Sequence, residues 1–162
     1  MLSRADRDEG SLTLLIVGYA GILALLVVVG VDVSKVFLAH RALSSVADEA
    51  ALAAAQSVDR AAVYAGDGGG CGELLPIDSG SAMQTAAVTV DGDMTDLRHT
   101  FAVVAVPETS VTAGTVTVHL SGDVAVPFGR ALTLLLPGHG DGRVHVDATA
   151  TADSPVVAAG GC

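Results

Sequence analysis

The chain has 162 residues and a formal net charge of −10, with 51% hydrophobic but only 3% aromatic residues. An acidic surface of this kind disfavours nucleic acid and anionic lipid surfaces as partners. The lack of any Asn removes N-glycosylation.

Residues 1–10 are short, charged and too few to fold. They are followed by Ser11–Val31, SLTLLIVGYAGILALLVVVGV, an uncharged run of 21 residues. At a rise of about 1.5 Å per residue, this helix covers roughly the 30 Å hydrocarbon core of a bilayer. A cleaved signal peptide has a shorter apolar region and ends in a small-x-small site. This run is longer and leads into VDVSKVFLAHR, so it reads as a retained anchor with Asp32 at the membrane exit. The basic residues beside it are tied, with Arg4 and Arg7 before the run and Lys35 and Arg41 after it. The longer stretch decides orientation. Residues 42–162 hold four basic and 14 acidic residues, the entire net charge, because the first 41 residues balance at four of each sign. The expected topology is single-pass in the cytoplasmic membrane, with the N-terminus inside and an exported C-terminal part.

Residues 32–65 continue the helix outward as a stalk. No Gly or Pro occurs from Val31 to Ala65, and 10 of the 24 residues from Ala39 to Ala62 are Ala, the strongest helix former. Small or apolar residues recur near helical spacing through Leu43, Ala47, Ala50, Ala51 and Ala54. A stripe of Ala rather than Leu lets a partner backbone come close. Ala47, Ala50, Ala51 and Ala54 are therefore expected to form a docking face, with Gln56 lying off it.

The sequence Val31-Asp32-Val33-Ser34, followed by Leu38-Ala39-His40-Arg41-Ala42-Leu43 and by Asp48-Glu49-Ala50-Ala51-Leu52-Ala53-Ala54-Ala55, resembles the N-terminal region of TadE/TadG-like proteins. These belong to the tight-adherence (Flp) pilus assembly system, a branch of the type IV pilus world. The resemblance covers about residues 8–58 and implies a bacterial envelope protein of pilus biogenesis or secretion. It also implies partners among the other pilus or secretion components. In one respect the chain departs from the type IV prepilins. Those are cut after a glycine and carry a glutamate five residues into the mature helix. If Gly10–Ser11 were such a site, Leu15 would stand where the glutamate belongs. The first ten residues are therefore expected to be kept, as in the TadG-like type.

Residues 66–85 open with Gly66-Asp67-Gly68-Gly69-Gly70-Cys71-Gly72 and read as a loop. It lacks the Lys-Ser/Thr of a phosphate-binding loop and follows a helix rather than a strand. Residues 86–153 are Val- and Thr-rich with a period of two, and predict strands at 86–90, 100–106, 115–120, 123–126 and 143–150. An apolar excursion, Phe128–Leu136, is too short to span a bilayer and is expected to cover the sheet, the alternative being that it dips into the lipid surface. Residues 154–162 form a tail. A sheet of about 70 residues with two aromatics is marginal by itself. Packing on the stalk would supply the missing layer, giving an α+β, pilin-like fold.

Chemistry is thinly represented. His139, Asp141, His145 and His119 could be imagined as metal ligands, but no spacing matches a known ligand geometry. No nucleophile motif is present. No enzyme activity, cofactor, metal or small-molecule substrate is expected. Cys71 and Cys162 could form an internal disulfide in an oxidising compartment, or remain free, or pair between chains. Two functional classes stand: an assembly component acting through its helix, and a membrane-tethered binding module or adhesin acting through its sheet. In a chain whose single cysteine is Cys71, an impermeant thiol reagent should label intact cells, and a single cysteine placed at Ser3 should stay unlabelled. The reverse pattern would overturn the orientation.

Overall fold

The computed structural model describes residues 6–66, 70, 72–105, 107–112, 114–129 and 142–156, with side chains described from Leu12 onward. Three helices and four strands occur among them: α1 (Asp6–Ala55), α2 (Arg60–Ala65), α3 (Ser79–Thr100), β1 (Val103–Val104), β2 (Glu108–Thr112), β3 (Thr115–Ala125) and β4 (Arg143–Asp153). The class is α+β, a long N-terminal apolar helix followed by a small antiparallel sheet. The chain divides into two compact units, one of residues 1–35 with 126–142, the other of residues 36–125 with 143–162.

In the first unit, α1 is bare. Leu12, Leu15, Val17 and Tyr19 are 62–71% exposed, apart from any lipid. Apolar side chains so presented to water would be costly, which is the physical case for a bilayer around them. Among the described residues, this is the one helix long and apolar enough to cross a membrane. Just past the apolar run, the Phe128 N–H donates to Asp32 Oδ1 across 3.3 Å.

The second unit holds the core. Beyond Val36 the burial of α1 becomes periodic, with Ala39, Leu43, Ala47, Ala50, Ala51 and Ala54 all at 0–1% exposure. They join one apolar cluster with Ala82, Ala86, Val90 and Leu97 of α3, Phe101, and the inner faces of β3 and β4. β3 is central. β4 pairs with it antiparallel over all eleven residues, from Thr115↔Asp153 to Ala125↔Arg143. β2 and β1 share its other edge, through Glu108↔His119 to Thr112↔Thr115 and through Val103↔Asp123. Val116, Val118, Leu120, Gly122 and Val124 face inward and the alternate residues outward, so one face is dry and one wet.

Three expectations are corrected here. The stalk helix was expected to reach residue 65, but α1 ends at Ala55. Asp59 then caps the separate helix α2, its carboxylate accepting the Ala62 N–H at 3.0 Å. A capping residue with extended backbone ends one helix and starts another without help from Gly or Pro. Between the helices, the Asp59 N–H donates to Pro76 O and the Asp78 N–H to Ser57 O, fastening the break to the incoming segment.

The second correction is larger. Residues 79–100 are helix α3, not the end of a loop followed by a first strand. The alternation in AAVTV suggested a strand, yet the buried residues are Ala82, Ala86, Val90 and Leu97, spaced by four, four and seven. That is one helical face, and the strand pattern was too short to outweigh it.

The third concerns the turn expected between residues 120 and 123. Instead β3 runs straight through Ser121-Gly122. Gly122 is a packing position, since a Cβ there would lie 2.7 Å from Phe101 Cδ1 and 3.0 Å from Val103 O. The strand expected over 100–106 is described only at Val103–Val104, and Glu108–Thr112, which was assigned to no strand, forms β2.

Asp78 starts α3, its carboxylate accepting the Ser81 N–H at 2.7 Å. Hydrogen bonds from the Ser81 backbone and hydroxyl, and then from Gly80, hold the carboxyl below its ordinary pKa. A lowered folded-state pKa contributes stability that is complete above the ordinary carboxylate value. That contribution is lost as pH falls through the lowered one. In detergent, Asp78→Ala should therefore lower the thermal midpoint at neutral pH, and the difference from the parent should shrink on acidification. Asp78→Asn, which still caps, should show a smaller loss at neutral pH. A deficit in Asp78→Ala that does not change with pH would argue against the charged cap.

Candidate functional site

The surface most able to meet a partner was expected on the alanine stripe of the stalk. Ala47, Ala50, Ala51 and Ala54 are 0–1% exposed within the chain itself, in the cluster they share with α3 and the sheet. The stripe does allow close approach, but the neighbours it admits are the chain's own. This corrects the docking-face expectation. Small side chains signal a close neighbour without saying which, and the exposed part of the helix lies elsewhere.

On α1 the outward residues of this unit, His40 aside, are Phe37, Leu38, Arg41, Ser45, Asp48, Glu49, Leu52 and Gln56. They recur at three or four residues, with Phe37–Leu38 and Asp48–Glu49 side by side, and form a single helical face. Phe37, Leu38 and Leu52, at 66%, 62% and 59% exposure, are the apolar points on an otherwise polar strip. His40 is exposed as well, at the margin of the buried stripe.

The wet face of the sheet is built differently. Thr112, Thr115, Thr117, Thr149 and Thr151 stand on it in register, with Thr117 and Thr151 hydroxyls 3.5 Å apart and Thr115 donating to Asp153 Oδ1 at 2.7 Å. His145 Nδ1 lies 2.9 Å from Asp123 Oδ1, its cross-strand neighbour. His119 sits between Glu108 and Thr149 on the adjacent strands. The two histidines thus occupy separate rows of the sheet. Among the described residues, no three His, Cys, Asp or Glu side chains converge as a metal site would require. His139 and Asp141 lie outside the described residues, as do Cys71 and Cys162 and their expected disulfide. Gly10 and Ser11 lie within α1, with their side chains outside the description.

One groove of about 420 Å³ runs along the outer side of α3, lined by Gln84, Ala87, Val88, Asp91, Met94 and Pro107. It is open and largely apolar, with a single carboxylate at its wall. Sequence reasoning missed it because residues 79–90 were not read as helix. The spacing of Ala82, Ala86 and Val90 was the available sign.

Two features of the N-terminal third, then, stand out: a bare apolar helix, and its continuation into a stalk with one face buried and one exposed. Residues 10–57 match the Tad family model, that of the TadE/G-like proteins of Flp pilus assembly. The N-terminal region of the chain is TadE/G-like. The match spans the whole membrane-crossing segment of α1, the alanine stripe and the break after Ala55. It supports a part in Flp pilus assembly and, with the apolar helix, a single-pass membrane protein. No curated protein and no solved structure matches the chain.

In this TadE/G-like helix, Ala51 is 1% exposed and Gln56 is exposed. Enlarging a packed position typically costs about 1–3 kcal/mol, whereas Leu on a solvated helix face costs only a few tenths relative to Ala. Ala51→Leu should therefore lower the thermal midpoint in detergent and the amount of chain held in the membrane, with Gln56→Leu close to the parent. Normal stability of Ala51→Leu would show that the stripe is not packed within the chain.

Proposed function

We propose that the chain is a non-enzymatic envelope component of Flp/Tad-type pilus assembly or of a related secretion apparatus, of the TadG-like or minor pilin-like kind. It is held in the cytoplasmic membrane by residues 11–31, with its N-terminus inside and residues 32–162 outside. It meets other pilus or secretion components through α1. The observation that carries this reading is the family match over residues 10–57, which falls on the anchor and stalk.

The packing refines which part of α1 is available. With Ala47, Ala50, Ala51 and Ala54 occupied internally, contact with other components falls to the lipid-facing anchor and to the outward strip containing Phe37, Leu38 and Leu52. A few apolar side chains on a polar strip suit a modest, reversible contact better than a permanent one. A polar linker would suffice for a plain tether, whereas this stalk is an ordered helix built into the core.

The test places a photo-crosslinking side chain at Leu52 or at Thr117 of the full-length chain in its native membrane. Adducts from Leu52 that contain pilus or secretion components are the expected result, together with loss of pili or secretion when the chain is removed. Adducts formed only from Thr117, with extracellular material, would instead identify a membrane-tethered binding module or adhesin working through the sheet.

A further inference from the structure

After β3 the chain returns to the place where α1 leaves its apolar run. The turn of residues 126–129 is tied there, because the Phe128 N–H donates to Asp32 Oδ1, one residue beyond Val31. Gly142 is held at the same point, its carbonyl accepting the Val126 N–H at 3.1 Å. The turn closes on itself as well, the Gly129 N–H donating to Val126 O at 3.2 Å. The described residues on either side of 130–141 are therefore both at this level.

The depth of that level follows from α1. From Leu12 to Lys35 two side chains are half-buried, Val28 and Asp32, and the others are exposed. The two stand about one helical turn apart on one face. In the compact unit to which they belong, the other part is residues 126–142. Val28 lies three residues inside the end of the run, about 4.5 Å at 1.5 Å per residue. A turn brought to this face of α1 is level with the edge of the hydrocarbon.

Composition fits that depth. Residues 124–140 hold no Asp or Glu, the longest such stretch in the acidic part from residue 42 onward, and their single charge among Asp, Glu, Lys and Arg is Arg130. Residues 128–136, FGRALTLLL, are apolar at six of nine positions. Carboxylates are costly beside lipid phosphates and hydrocarbon, whereas Phe and Leu gain by leaving water there. The sheet offers the turn no comparable place. Its dry face is closed by α1 and α3, and none of residues 126–129 joins that cluster. Its wet face carries Thr, Asp and His.

We propose that this turn is a second membrane contact. Phe128, and the apolar stretch it opens, are seated in the lipid of the leaflet that α1 leaves at Val31, at the boundary between headgroups and acyl chains. The proposal rests on the reading that residues 11–31 cross the bilayer. Phe128 is 38% exposed in the chain alone and brings an aromatic ring to that boundary. Arg130, two residues on, is long enough to reach lipid phosphate. The hydrogen bond to Asp32 then serves twice, satisfying a carboxylate at the hydrocarbon edge and fixing the height of the turn.

The chain has no Trp, so a single introduced indole reports from one place. Full-length chains carrying Leu23→Trp, Leu52→Trp or Phe128→Trp are reconstituted in phosphatidylcholine vesicles. Quenching by brominated acyl chains is compared with quenching by iodide present on both sides. Leu23 lies within the apolar run and Leu52 about 30 Å past it along α1, so they mark lipid and water. Phe128→Trp is expected to reach at least about half the lipid quenching of Leu23→Trp, and to be shielded from iodide relative to Leu52→Trp. Pro127→Trp, at the neighbouring exposed position, gives the same readout if Phe128→Trp does not accumulate. Lipid quenching of the turn no greater than that of Leu52→Trp, with Leu23→Trp quenched, overturns the proposal and leaves the span intact. That holds whether iodide reaches the turn or the chain's own surface shields it. A Leu23→Trp that escapes the brominated lipid overturns the span and this contact together.

Discussion

Close packing of small side chains is the constraint on which the second unit depends. A core with Phe101 as its single buried aromatic cannot draw its stability from a few large side chains. It relies on short distances instead. Ala47, Ala50, Ala51 and Ala54 on α1, Ala82 and Ala86 on α3, and Ala148, Ala150 and Ala152 on β4 are all buried in one cluster. Alanine contributes little area per residue, so each layer must come near enough for backbone and Cβ atoms to make contact. The larger residues, Leu43, Val90 and Leu120, then fill what remains. The arrangement joins the outer half of α1 to the sheet as one folded body, and without the helix the sheet would have an uncovered face.

That constraint also assigns the faces of the molecule. Where α1 leaves the apolar run, its sequence changes from an uncharged stretch rich in Leu and Val to a mixture of small and charged residues. Its burial changes from none to one stripe in the same interval. Lipid is the natural solvent of the first segment, the chain's own core of the second. What remains for other proteins is the strip through Phe37, Leu38 and Leu52 and the threonine face of the sheet. The TadE/G-like match falls on the helix. The sheet that follows lies outside it, and sequence reasoning had to read that part from pattern alone.

The apolar run, the helix that continues it and the strands β3 and β4 were legible because each has a long, repetitive signal. Ser11–Val31 carries no charge, Ala recurs through residues 39–62, and Thr115–Leu120 alternates without a fault. Reading failed where two periods overlapped. Ala86-Ala87-Val88-Thr89-Val90 alternates well enough for a strand, but the deciding contacts of Ala82, Ala86, Val90 and Leu97 lie on a helical face that extends beyond it. Gly122 misled for another reason. Glycine before Asp is a frequent turn, and only the position of the Phe101 ring shows that this one makes room. The destination of the alanine stripe was legible in chemistry but not in partner. Close approach follows from residue size, whereas the identity of the approaching backbone is a tertiary fact.

A core of this composition has a thermodynamic consequence beyond its geometry. Ordering a side chain on folding removes rotational freedom, a cost that is near zero for alanine and modest for valine, whose branched Cβ already restricts its one torsion. The residues buried from α1, α3, β3 and β4 are mostly of these two kinds. The modest hydrophobic gain of the core is thus set against a correspondingly modest loss of side-chain entropy. With few rotamers to exchange, the interior also has few alternative packings of similar energy. The body attached to the membrane helix should therefore be stiff despite its small size, with little internal rearrangement to absorb a load applied through α1.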